Sequence, residues 1–276
     1  MTTRVGFIGL GNIGKPMALR LAAADGIELT VYDVAPDPVA ELEKAGATAV
    51  ESVAAIDADI VCVMVRDDDQ VRSVAAEIRP GCVIVVHSTV APGTPAELAA
   101  QGLNVLDAPV SGGAMGAADG SLAIMVGGSD EAFAAARPAL DAMGSLVTHA
   151  GPIGSGTKFK LARNLMHFVA FTAATEAQRL AEAAGLDLVE LGKVVRHTDA
   201  ITGGPGAIMH RATAAPIATD DFWYGVFEHV VALGEKDLSF AIDLADDLGV
   251  DVPLAQLALD RLATGLGLPA STLTKD

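Results

Sequence analysis

Lys160 and Asn164 stand four residues apart in the run Gly154-Ser155-Gly156-Thr157-Lys158-Phe159-Lys160-Leu161-Ala162-Arg163-Asn164. Residues at that spacing share one face of a helix, so an amine and an amide project together near the start of the helix this run opens. An amine can transfer a proton, and an amide can hold the group that loses it. A second cluster is Ser111-Gly112-Gly113, at the end of the run Asp107-Ala108-Pro109-Val110. A hydroxyl and two glycine N–H groups in a turn form a small anion nest, which suits a carboxylate. Alone, the first cluster reads as a solvated helix face and the second as an ordinary turn. Their meaning depends on what positions them.

The positioning elements begin at the N-terminus. Arg4 to Ile8 reads as a short buried strand, then Gly9-Leu10-Gly11-Asn12-Ile13-Gly14 opens a helical pattern from Pro16 to about Ala24. Strand, G-x-G-x-x-G and helix in that order form a dinucleotide-binding turn. Gly9 allows the tight turn, Gly11 lets the backbone approach a pyrophosphate and Gly14 lets helix and strand pack closely. Asn12 and Ile13 lie within the same turn, and the helix N-terminus offers free N–H groups to phosphate. A second strand, Glu28 to Tyr32, ends at Asp33, 19 residues after Gly14, near the roughly 20 expected for a ribose-binding acid. A carboxylate there repels a 2′-phosphate, and Val34-Ala35-Pro36 supplies no arginine. NAD is therefore expected over NADP.

Alternation then continues. Helices are expected at Pro38–Ala45, Asp69–Ile78 and Thr94–Gln101, and strands at Ala47–Val50, Ile60–Val65, Cys82–His87, Asn104–Asp107, Leu122–Val126 and Leu146–Ala150. This predicts a doubly wound, mostly parallel sheet, with ligands beyond the carboxyl ends of the strands. Three strand ends therefore matter: Met64-Val65-Arg66, Ser88-Thr89 and Asp107 to Gly113. Thr157 to about Ala184 predicts a helix of roughly 40 Å, a connector into a second domain. Helical patterns at Val189–Thr198, Phe227–Leu248 and Leu254–Gly265 make that domain all-α. Gly185-Leu186-Asp187 and Gly249-Val250-Asp251 each read as a helix stop followed by an acidic restart. The expected domains are 1–156, an α/β Rossmann unit, and 157–276, a helical unit that starts with the long helix. So long an apolar helix suggests burial against another subunit, so a homodimer or homotetramer is expected.

Composition bounds the function. The 276 residues suffice for two modest domains, half of them are apolar, and the net charge is -17. That charge, with no basic stripe, argues against a nucleic-acid partner. No apolar run reaches the roughly 18 residues of a membrane span. Met1 to Arg4 lead straight into a strand, so no signal peptide is expected. Cys62 and Cys82 sit in apolar strand-like runs and read as packing residues of a reduced, cytoplasmic protein. The six histidines show no metal-ligand spacing, so no metal is expected.

Four motifs together, Gly9 to Ala18, Asp107 to Gly113, Gly154 to Asn164 and Lys236-Asp237-Leu238, resemble those of the β-hydroxyacid dehydrogenases. That group includes 3-hydroxyisobutyrate dehydrogenase, tartronate semialdehyde reductase and 6-phosphogluconate dehydrogenase. The resemblance spans nearly the whole chain. It implies that Lys160 is the catalytic acid/base and that Asn164 orients the substrate beside it. It implies that Ser111, Gly112 and Gly113 hold the substrate carboxylate. Thr89 would touch the nicotinamide end of the cofactor, helped by the backbone of Val65 and Arg66, with Lys236 reaching in from the helical domain and Asp237 supporting it. The implied reaction is hydride transfer between NAD and the hydroxyl carbon of a short β-hydroxy acid.

Three positions depart from the family pattern. Arg66 replaces a common Pro, Arg163 precedes Asn164 where many relatives have Asn, and His229 stands where an aromatic, often Phe, is expected. Arg163 and His229 suggest a substrate more polar or larger than 3-hydroxyisobutyrate; the alternative is a solvated Arg and a packed or solvated His. An imine reductase shares this fold, but such enzymes commonly lack the lysine kept here as Lys160. A non-catalytic cofactor-binding module is the other alternative, disfavoured by Lys160 and the acidic charge. A 6-phosphogluconate substrate is disfavoured by the short chain and the lack of a basic cluster.

Overall fold

The computed structural model describes residues 2–270. The chain divides into two compact units, residues 1–164 and 165–276. The first unit runs β1 (Thr3–Ile8), α1 (Gly14–Ala22), β2 (Ile27–Tyr32), α2 (Pro36–Lys44), β3 (Thr48–Ala49), β4 (Ile60–Val63), α3 (Asp68–Glu77), β5 (Val83–Val86), α4 (Thr94–Ala100), β6 (Asn104–Asp107), β7 (Val110–Ser111), α5 (Gly113–Asp119), β8 (Ala123–Gly127), α6 (Asp130–Met143) and β9 (Leu146–Gly151). Helix α7 (Ser155–Ala183) starts in this unit and continues into the next, where α8 (Leu188–Thr202), α9 (Phe222–Leu248) and α10 (Pro253–Gly265) follow.

The strands of the first unit form one sheet in the order β3-β2-β1-β4-β5-β6-β8-β7, with β9 beside β8. Strands β1 to β6 pair in parallel, β8 runs antiparallel to β6 and β7, and β9 pairs in parallel with β8. The order 3-2-1-4-5-6 places a topological switch point between β1 and β4, where a crevice opens beyond the strand ends.

Both sheet faces are covered, which is why the strands read as unbroken apolar runs. Ile60 and Cys62 face one layer with Phe7, Val85, Leu106 and, from α1, Met17. Val61 and Val63 face the other with Ile84, Val86 and, from α3, Val71. This is an α/β Rossmann unit with a mostly parallel sheet, followed by a helical portion reached through a long helix.

Several elements differ from the sequence expectation. Strand β4 stops at Val63, two residues before the expected Val65, so Met64-Val65-Arg66 is the loop just beyond its carboxyl end. Residue 82 precedes β5, although Cys82 is buried as expected. Helices α5 and α6 and strand β7 were not expected. The seven-residue α5 carries two glycines, Gly113 and Gly116, which suggest a loop. In α6, Pro138 interrupts a pattern that Ser129 nevertheless caps, accepting from the Ala132 N–H. Helix α9 starts at Phe222 rather than Phe227 because Asp221 caps it through the Trp223 N–H.

The two expected stop-and-restart turns also differ. Gly185 and Gly249 both take positive φ, as helix stops do. Asp187 caps α8 by accepting from the Val189 and Glu190 N–H groups. Asp251 does not cap α10, since Val252 holds the N-cap position and makes no side-chain cap bond. Instead Glu176, reaching across from α7, accepts from the Leu254 and Ala255 N–H groups at 2.9 Å each. Among the described residues, no helix is long and apolar enough to cross a membrane.

Candidate active site

The glycine turn follows β1. Gly9 has φ +94°, and a Cβ there would strike the Met64 carbonyl. A Cβ on Gly14 would strike the Gly9 carbonyl, while Gly11 has nothing within 4 Å. The outer glycines thus fold the turn, and the middle one leaves its backbone open. Asp33 fastens the turn: Oδ2 accepts from the Leu10 N–H at 2.5 Å and Oδ1 from the Ala35 N–H at 2.7 Å.

A cavity of about 380 Å³ opens there, lined by Gly9, Gly11, Asp33, Met64, Val65 and Arg66 among others. Asn12 is exposed and Ile13 half-buried at the start of α1. The cavity, the open Gly11 backbone and the carboxylate at its wall fit a dinucleotide. Opposite, Ser88 grips the Val65 turn, its hydroxyl accepting from the Val65 N–H at 2.9 Å and donating to the Val65 carbonyl at 2.8 Å. This brings the loop carrying the exposed Thr89 beside Met64-Val65-Arg66. The sequence marks Ser88 only as part of the Ser88-Thr89 strand end, and its grip on Val65 leaves no local signal.

The second cluster forms around Lys160. Its side chain is 8% exposed. Nζ donates to the Val110 carbonyl at 2.7 Å and to Ser111 Oγ at 2.9 Å. Gly112 and Gly113 follow with φ of +134° and +63°, both exposed, as they lead into α5. An amine therefore stands beside the hydroxyl of the Ser-Gly-Gly turn. Burial, and secondarily the nearby Arg163 charge, pull the Lys160 pKa below that of an ordinary lysine. Arg163 and Asn164 are half-buried on the next turn, where Arg163 Nη1 donates to Asn164 Oδ1 at 3.3 Å. Among the described residues the Asn164 NH₂ makes no hydrogen bond, so it can donate to a substrate.

His229 and Lys236 belong to the second compact unit. His229 is exposed on α9. Lys236 pairs with Asp237 at 2.8 Å and lies 5.7 Å from the centre of the Phe240 ring. Among the described residues, no group of three or more His, Cys, Asp or Glu is placed to hold a metal ion.

A dinucleotide-binding crevice and a buried lysine beside a Ser-Gly-Gly turn define a nicotinamide-dependent oxidoreductase of the α/β class. The family profile described as the NAD binding domain of 6-phosphogluconate dehydrogenase matches residues 4–151. The profile described as NAD-binding of NADP-dependent 3-hydroxyisobutyrate dehydrogenase matches residues 154–267. The chain belongs to the 3-hydroxyisobutyrate dehydrogenase family of oxidoreductases. It is 52% identical to an uncharacterised oxidoreductase of Mycobacterium tuberculosis, over 97% of this chain and 95% of that one. It is 36% identical to the NAD-dependent L-serine dehydrogenase of Pseudomonas aeruginosa, over 93% and 90% of the two chains. The crystal structure of an oxidoreductase from Mycobacterium avium superposes with a TM-score of 0.93 at 49% identity, covering 97% of this chain and all of that one.

Proposed function

We propose that the protein is an NAD-dependent dehydrogenase of short β-hydroxy acids, with Lys160 as its acid/base. The observation that carries this reading is the buried Lys160 amine hydrogen-bonded to Ser111 at the mouth of the Ser-Gly-Gly turn. Ser111 Oγ and the N–H groups of Gly112 and Gly113 hold the substrate carboxylate. That places the substrate's β-hydroxyl within reach of Nζ and of the free Asn164 NH₂. Bound NAD supplies the acceptor for a hydride from the hydroxyl carbon. Neutral Lys160 takes the hydroxyl proton in the same process, and the lowered Lys160 pKa makes neutral amine available. In the reverse direction, protonated Lys160 returns the proton to the carbonyl oxygen.

Asp33 supports NAD over NADP. Its carboxylate lines the crevice and has lone pairs left for ribose hydroxyls, and it repels a 2′-phosphate. Thr89 and the Val65–Arg66 backbone line the nicotinamide end, and the family resemblance implies a cofactor role for Lys236. Arg163 and His229 read as substrate-side groups that favour a polar acid, L-serine among the candidates. A second copy of the chain covers the apolar faces of the helical unit, where Leu165, Phe168, Val189, Ile201, Phe222 and Phe240 are exposed. The unpaired thiols of Cys62 and Cys82 suit a reducing, cytoplasmic setting.

The test is formation of reduced nicotinamide, with NAD and then NADP, against a panel of short β-hydroxy acids. Turnover should be faster with NAD, and Lys160→Met should lower kcat/KM by about 10²–10⁴ without loss of cofactor binding. Oxidation needs neutral Lys160, so kcat/KM should rise with pH through a midpoint below that of free lysine. Arg163→Ala removes a positive neighbour and should move that midpoint upward. Full activity in Lys160→Met would end the reading.

A further inference from the structure

Asp107 ends β6 and is fully buried. Its Oδ1 accepts from the Gly154 N–H at 2.7 Å and its Oδ2 from the Thr157 N–H at 2.6 Å. Gly154 immediately precedes α7 and Thr157 lies in its first turn, so neither N–H has an intrahelical acceptor. A carboxylate there also meets the positive end of the helix dipole. The seat is tightly packed: a Cβ on Gly127 would strike the Asp107 carboxylate, and one on Gly156 would strike the Met125 and Asp107 carbonyls. The start of α7 thus rests on the backbones of β6 and β8 with no room for a side chain between them.

Lys160 lies one turn beyond Thr157, and the Val110 and Ser111 groups it bonds lie just beyond Asp107 in the chain. Two rungs therefore join the segment from the end of β6 through β7 to the same helix. One is the Asp107 carboxylate on two backbone N–H groups; the other is the Lys160 amine on Val110 and Ser111. The lysine rung hangs on a flexible four-carbon stem. The carboxylate rung is short and buried, and it fixes the helix that carries the stem.

We infer that Asp107 is a positioning residue for the reaction, a clamp that sets the register of α7 against β6 and so holds the Lys160 amine at Ser111. This rests on the reading of Lys160 as acid/base. The clamp makes the placement of Nζ, and its desolvation, depend on a carboxylate that touches neither substrate nor cofactor.

Asp107→Asn keeps the size, but leaves one acceptor and turns an NH₂ toward the second backbone donor. Carbon-labelled lysine side chains followed by NMR, with Lys160→Met for assignment, read the Lys160 titration without turnover. In Asp107→Asn the Lys160 midpoint should move up, toward that of an ordinary lysine, because the amine regains water. Loss of the Asp107 charge alone would move it down, so the sign separates positioning from direct electrostatics. NAD affinity should stay within about twofold, while kcat falls by up to about a hundredfold, the scale of a small misplacement. An unchanged or lowered Lys160 midpoint would overturn the inference.

If the variant does not fold, hydrogen exchange on the wild-type protein decides. The clamp requires the Gly154 and Thr157 amides to exchange as slowly as the β6 core, and fast exchange would overturn it. Both readouts work without a substrate. A wild-type protein that oxidises no hydroxy acid would therefore count against the dehydrogenase reading, while the clamp would stand or fall on NMR.

Discussion

The sheet unit and the helical unit use the same device at two places. Each caps the N-terminus of a helix with a buried carboxylate sent from another element: Asp107 from β6 for α7, and Glu176 from α7 for α10. The two differ in tightness. Asp107 is fully buried, with bonds of 2.7 and 2.6 Å, and is walled by glycines that admit no Cβ. Glu176 is 5% exposed, has bonds of 2.9 Å and sits at the end of a longer side chain. The difference follows the cargo. The α7 cap places a reactive amine, whereas the α10 cap holds a helix whose described contacts are packing against its neighbours. A cap that only joins elements tolerates slack, but a cap that sets a proton-transfer distance does not.

The strongest way to break this comparison is Asp107→Ala. It orphans two buried N–H groups at a helix start and leaves a void that the glycine cradle cannot close. A cost of about 3–5 kcal/mol is expected, read by urea unfolding followed in the sheet unit. A loss under about 1 kcal/mol would mean that water replaces the carboxylate and that the clamp is loose.

Next in size is a pH effect confined to the sheet unit, which buries polar atoms that have no partner. His87 is 1% exposed; its Nδ1 lies 2.8 Å from the Ala108 carbonyl, and its Nε2 has no hydrogen-bond partner among the described residues. Burial pushes its pKa down to about 4. The folded pKa lies below the unfolded value, so the unfolded chain binds the extra proton between them. Stability is then unaffected well above the unfolded value and falls as pH drops through it toward the folded value. Near pH 5 the loss should be about 2 kcal/mol, from 1.36 kcal/mol per pKa unit. His87→Leu should remove that part of the slope between neutral and mildly acid pH. An unchanged slope would show that His87 is solvated in the native state.

The reach of the sequence follows from the same contrast. Local patterns were legible: apolar runs marked β1, β4 and β5, and the glycine spacing marked the crevice together with Asp33. Lys160 and Asn164 stood out because helix periodicity joins them. The Lys160 to Ser111 bond was accessible only through a family resemblance, since 49 residues separate the partners. Asp107 was read as the last residue of a strand and the first of a motif, with no partner named for it, because a cap supplied 47 residues upstream leaves no local mark. Glu176 was hidden for the same reason. Asp251 sat where a local cap belonged and drew attention to itself, while the true cap came from 78 residues earlier. Helix α6 was missed despite Ser129 and a buried Ala132, Ala136, Ala139 and Leu140 stripe, because small alanines and Pro138 mute the amphipathic signal.

The smallest predicted effect tests the slack half of the comparison. Glu176→Gln keeps the length of the side chain and one acceptor oxygen, and it removes the charge that faces the α10 dipole. A cost of about 1 kcal/mol is expected, the scale of one hydrogen bond weakened at a helix N-terminus. Turnover should not change, because the Lys160 seat depends on Asp107. A fall in Tm with constant kcat is therefore the expected pair of results. If kcat fell along with Tm and the pH profile moved, the α10 cap would also be setting the amine, and the division between a tight cap for chemistry and a loose cap for packing would fail. If Tm did not move at all, solvent would be satisfying the Leu254 and Ala255 N–H groups, and Glu176 would owe its place to packing along α7.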